Sequence, residues 1–348
     1  MMQITFYGCC WDSKRVQVFI WRFSMNEILD VHNAEEYVLQ VFKNHNIIGL
    51  GEGEHNLVES HQFFQKILDN KKIQEIVDII IVEFANAAYQ DILDKYIFGE
   101  EVNVVELQKV WRESTGCIGL FGEATIYFEL LQKIRNVNFT LALTSNKKIR
   151  VLGGDPPIDW TSIRSLEDYL KINIKRELFA SDLAIEYGIK RSMKVLMVYA
   201  EYHLTKINDQ SRKDWLAETN NKSIKNLSTI TNHVNTKYPD TMRVIAVLNP
   251  RAFQLSEKTK NWPLYSIVDL KEEIGNLPAV NYFTQIFDNN GQVILFDGHK
   301  IKELFDAFLY IGQSEDWKHV DFQESVFTDE ELNELIRRRQ ILGKKSFN

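Results

Sequence analysis

The run "VDIIIVEF", residues 77–84, constrains the fold more than any other stretch. A near-continuous apolar run this short reads as a strand buried on both faces of a sheet. It falls far below the roughly 18 residues of a membrane span. Comparable runs recur as "IIGL", "KIRVLGG", "KVLMVYA" and "MRVIAVL". Helical segments separate them. The first is predicted over residues 33–44, "NAEEYVLQVFKN", with Asn33 as its cap. Others are expected over "LVESHQFFQKILDN", across 86–135, across 163–187 and near 214–235. The alternation predicts an α/β fold with a central, mostly parallel β-sheet flanked by helices. The 86–135 region, carrying "AAYQDILDKYIF", "VVELQKVWRES" and "ATIYFELLQKIR", is then a helical insertion that forms part of a pocket. Three later runs, "YSIVDL", "QVILFDG" and "AFLYIG", are expected to complete or edge the sheet.

Six prolines and the lack of any Gly/Ser-rich linker argue for one domain over residues 25–348. Residues 1–24 read as an N-terminal extension: an extra strand, a loose segment or the product of an upstream start codon. Lys plus Arg number 41 against 48 Asp plus Glu, a net charge of −7, which gives no support to a nucleic-acid partner. Cys9, Cys10 and Cys117 form neither a disulfide framework nor a zinc-ribbon spacing. The expected location is the cytoplasm, and the expected partner a small molecule.

Chemistry gathers where the strands end. The first run delivers Glu52 and His55, and the second ends on Glu83. The third delivers Asp155, in "GGDPP", and the fourth is followed by Glu201 and His203, in "VYAEYH". Parallel neighbours would bring these groups to the carboxyl edge of one sheet, where open α/β folds place ligands. Any one strand-end carboxylate is more often a cap or a solvated loop residue. Glu83 is different, because a carboxylate inside an apolar run needs a partner, a proton or a metal. Arg112, Arg150 or Arg251 would serve as a purely structural partner. His61, His233, His299 and His319 read as surface or cap residues. Gly51 and Gly53 are expected at positive φ, turning the chain sharply. The same glycines do not make a phosphate loop, since "GLGEGE" lacks the Lys-Ser/Thr pair and carries acid instead.

Two chemistries suit this set. In one, His55 is a general base oriented by Glu52 that takes a proton from water, and Glu83 holds or polarises the same water. The reaction is hydrolysis of an ester, lactone or amide, needing no cofactor. Asp155, Glu201, His203 and Arg251 then line the substrate side, with His203 or Arg251 as oxyanion stabiliser. In the other, Glu52, His55, Glu83 and His203 hold a divalent metal. A third reading, without catalysis, is a haem- or small-ligand-binding protein in which Tyr199, Tyr202 and His203 are ligands or pocket walls. A serine or cysteine nucleophile is disfavoured: there is no G-x-S-x-G elbow, and no base stands near Cys117 in sequence.

"GLGEGEHNLVE" followed by "IIIVEF" resembles the erythromycin-esterase-like branch of a superfamily that also holds Tiki-type metalloproteases and ChaN-type haem-binding proteins. "GGDPPIDW", "VLMVYAEYHL" and "FDAFLYIG" extend the resemblance over roughly residues 45–312. It implies an α/β fold and a hydrolase-like site on Glu52, His55 and Glu83, the positions that match the esterases' catalytic Glu-x-x-His and later Glu. The esterases carry an arginine soon after the histidine, whereas "NLVESHQFFQK" has none.

Overall fold

The computed structural model describes residues 30–116, 125–145, 147–208, 228–282, 286–288, 291–293, 296–320 and 326–343. The N-terminal extension, Cys117 and most of the helix expected near 214–235 lie outside them; Ile230–Lys237 of that helix is described. The strands are β1 (Val31–Asn33), β2 (Ile47–Gly51), β3 (Ile79–Asn86), β4 (Arg150–Asp155) and β5 (Val195–Tyr199). They continue with β6 (Met242–Val247), β7 (Ser266–Asp269), β8 (Ile286–Asp288), β9 (Gly291–Val293) and β10 (Ala307–Tyr310).

Eight strands form one sheet in the order β1-β7-β10-β6-β2-β5-β3-β4. From β10 to β4 every pairing is parallel; β7 runs antiparallel to β10 and β1 antiparallel to β7. The fold is α/β, as the alternation predicts. The central strands alternate their side chains between two apolar layers. Ile48, Leu50, Ile80, Val82, Leu196 and Val198 face one, while Ile47, Ile79, Ile81, Val195 and Met197 face the other. Burial on both faces explains why these strands read as unbroken apolar runs.

Two expectations need correction, the single 163–187 helix and the place of "QVILFDG". The helical 86–135 region stands: among the described residues it carries the helices Gln90–Ile97, Val104–Arg112 and Thr125–Thr144, the first preceded by a short 3₁₀ turn. Gly99, at φ 101°, ends the first, and Asn103 caps the second through the Val105 N–H. The 163–187 stretch divides into Leu166–Asn173 and Arg176–Ala184, followed by a π-turn. "QVILFDG" does not edge the sheet: β9 pairs with β8 in a separate antiparallel hairpin. The helix Ala34–Asn44 begins as expected, with Asn33 Oδ1 accepting from the Glu35 and Glu36 N–H groups. No helix among the described residues is long and apolar enough to cross a membrane.

Candidate active site

β2, β5, β3 and β4 are consecutive and parallel, so their carboxyl ends form one continuous edge. β2 delivers Glu52 into a turn in which Gly53 has φ 72° and Asn56 φ 64°. That turn folds the chain back so that His55 Nδ1 lies 2.6 Å from Glu52 Oε1. Gly51 is not at positive φ. It is needed for a different reason, since a Cβ there would meet Glu201 Oε1 at 2.5 Å.

Glu83 lies within β3 and is buried. Its Oε2 accepts the Ala200 N–H at 2.7 Å, and its Oε1 accepts from Arg176 Nη2 at 2.9 Å. His203 Nε2 stands 3.3 Å from the same Oε1, and His203 Nδ1 lies 2.9 Å from Glu177 Oε1. Asp155, at the end of β4, accepts from Arg176 Nε at 2.9 Å and from the Thr115 N–H and hydroxyl at 2.5 and 2.6 Å. Arg176 therefore braces two buried carboxylates with one guanidinium, the forked geometry that lysine lacks.

The charges follow from these contacts. Burial opposes ionisation of Glu83, but the His203 charge, its hydrogen bond and Arg176 outweigh it and hold the carboxyl well below its usual range. Burial likewise opposes protonation of His203; Glu83 and Glu177 prevail and raise it to about 9. For His55 burial again works against the proton, and Glu52 overcomes it, so the ring titrates above its ordinary value. Glu83 and His203 also lie close enough to act on His55 by charge. The pairs Glu52–His55 and Glu83–His203 thus share one neighbourhood. Within it, the His55 side chain is the most exposed, at 21%.

Of the residues singled out by sequence, Glu52, His55, Glu83, Asp155 and His203 come together. Glu201 is buried beneath the β2 turn, its Oε1 accepting from the Gly53 N–H at 2.6 Å and the Val247 N–H at 3.2 Å. That side chain is committed to the backbone of the β2 turn and of β6. Arg251 sits exposed in the turn after β6. The cation of the cluster is Arg176, from a helix start that no strand-end argument reaches. Arg112 and Arg150 pair with Glu331 and Asp94 instead of Glu83. His61 is not a surface or cap residue. It is 1% exposed, packs against Phe64 and Tyr127, and places Nε2 3.3 Å from Glu52 Oε2. Glu52 precedes the helix Val58–Ile67 in a turn, so no helical spacing signalled this contact.

The donor set does not fit a metal. Glu52 spends both oxygens on histidines and Glu83 is bound to a guanidinium. No three His, Cys, Asp or Glu side chains among the described residues are grouped to hold an ion. His203 has both ring nitrogens engaged by carboxylates. Tyr199 is buried, its hydroxyl against the Gly154 backbone, so neither residue presents an open ligand to haem iron.

No family model matches the chain, and no curated protein does. Solved structures do. A succinoglycan biosynthesis protein, 10% identical, aligns over 80% of this chain and 90% of its own with a TM-score of 0.54. The fold is shared. A mutant of the erythromycin esterase EreC in its open conformation is 11% identical over 82% of this chain and 95% of its own, with a TM-score of 0.48. ChaN of Campylobacter jejuni, solved with cofacially bound haem, is 14% identical over 64% of this chain and 92% of its own, with a TM-score of 0.30.

Proposed function

We propose that the protein is a water-activating hydrolase of an ester, lactone or amide, with His55 as the general base. The observation that carries this reading is the 2.6 Å contact of His55 Nδ1 with Glu52, made by the most open ring of a cluster that also holds Glu83 and His203. Glu52 keeps the proton on Nδ1 and stabilises the imidazolium that forms when Nε2 takes a proton from water. The water oxygen bonds to the carbonyl carbon, the bond to the leaving group breaks, and His55 returns the proton to it. Acid and alcohol, or acid and amine, are the products. His203 carries a proton at neutral pH, being raised to about 9, and supplies positive charge for the developing oxyanion. Glu83 holds that imidazolium in place, braced by Arg176.

The esterase among the similar structures is in keeping with this reading. Haem binding, the property of the ChaN structure, receives less support because both nitrogens of His203 are taken. The test is turnover of a panel of p-nitrophenyl esters, lactones and anilides by the wild type, His55→Ala and Glu83→Gln. Each substitution is expected to reduce turnover ~100-fold or more with an unchanged circular dichroism spectrum. Equal turnover by all three proteins would remove the proposal.

A further inference from the structure

Glu201 stands on the first residue of the short helix that follows β5, yet its carboxylate reaches beneath β2 and on to β6. Two backbone N–H groups converge on Oε1, that of Gly53 in the β2 turn and that of Val247 at the end of β6. The path is open only because Gly51 has no side chain: a Cβ there would fall within 2.7 Å of three Glu201 atoms. Close by, the Tyr282 hydroxyl donates to the Val247 carbonyl at 2.6 Å, fastening the same strand end.

The consequence concerns Glu52. Its own N–H donates to the Tyr199 carbonyl at 3.1 Å, and the next N–H along, that of Gly53, donates to Glu201. Both peptides that bracket Glu52 are therefore anchored to the β5 segment. Rotation of the Glu52–Gly53 peptide would swing the carboxylate away from His55. We infer that Glu201 is a positioning residue that aims Glu52 at His55, a role that deepens the proposed hydrolase reading and rests on it for its catalytic meaning.

The inference is tested with Glu201→Gln, Glu201→Asp and Glu201→Ala, read by NMR titration of the His55 ring and by kinetics. Glutamine keeps an acceptor oxygen at the same reach. Aspartate keeps a carboxyl group but withdraws it by one methylene. If Glu201 is a strut, Glu201→Gln retains the wild-type His55 titration, while Glu201→Asp and Glu201→Ala let it fall toward the ordinary histidine value as the Glu52 contact loosens. Turnover of any hydrolysed ester then falls ~100-fold in those two, with KM within about twofold. An unchanged His55 titration in a folded Glu201→Asp protein would overturn the inference, as would aspartate restoring what glutamine does not. Should Glu201→Ala fail to fold, the aspartate and glutamine pair still decides. The His55 titration needs no substrate, so absence of esterase activity in the wild type would sink the hydrolase reading and leave the strut tested separately.

Discussion

Glu83 and Asp155, both buried and on adjacent strands, are joined through a single side chain: Arg176 donates Nη2 to one and Nε to the other, each at 2.9 Å. Removing that guanidinium leaves Asp155 with only the Thr115 contacts and Glu83 with His203 as its cation. Arg176→Leu is expected to lower the unfolding free energy by about 3–5 kcal/mol. Arg176→Lys, which cannot fork, should recover only part of it. Urea denaturation at pH 7 checks both, and a wild-type midpoint for Arg176→Leu would show that the brace is not structural.

Glu52→Gln removes the charge that sustains the His55 proton and leaves one acceptor oxygen for two histidines. Because Glu52 raises the affinity of His55 for its proton, its loss moves the His55 titration to lower pH. With neutral His55 as the base, the acid limb of the kcat/KM profile should shift to lower pH in the same variant. Turnover should drop ~100-fold or more, since the ring loses its anchor. A profile that keeps its wild-type midpoint would detach Glu52 from the base.

His203 is raised to about 9 in the folded protein. In the unfolded chain a histidine titrates near about 6.5, so the fold binds this proton more tightly. The stabilisation it brings is complete below about pH 6.5 and is lost as pH climbs through about 9. Unfolding midpoints measured from neutral to alkaline pH should therefore decline over that window. In His203→Gln the decline should be shallower; an equal slope would assign it to other groups.

Gly154 on β4 has no room for a methyl group. A Cβ would lie 2.8 Å from the Val82 carbonyl oxygen and would overlap the Tyr199 hydroxyl. Gly154→Ala is expected to cost about 1–3 kcal/mol by displacing Tyr199. A crystal structure of the variant should show the Tyr199 ring moved, and an unmoved ring with full stability would contradict the packing described.

The strand-end groups were readable because each sits at the boundary between an apolar run and a turn, and that boundary is local. Glu52, His55, Asp155 and His203 carry this mark, and Glu83 stands out instead as a carboxylate inside an apolar run. Arg176, His61, Glu177 and Thr115 do not. Their positions look like ordinary helix or loop residues until the helices dock. Arg251 follows β6, the strand that pairs with β2, and is exposed in the turn there.

Residue order alone determined which segments become strands and helices, since apolar periodicity, caps and turn residues act over a few positions. It also determined that acid and imidazole groups follow those strands. The tertiary structure alone decided which strands are neighbours, that Glu201 passes under Gly51, and that one arginine serves two carboxylates. Those outcomes depend on long-range pairing and on the fit of side chains from segments tens of residues apart, where no short-range pattern reaches.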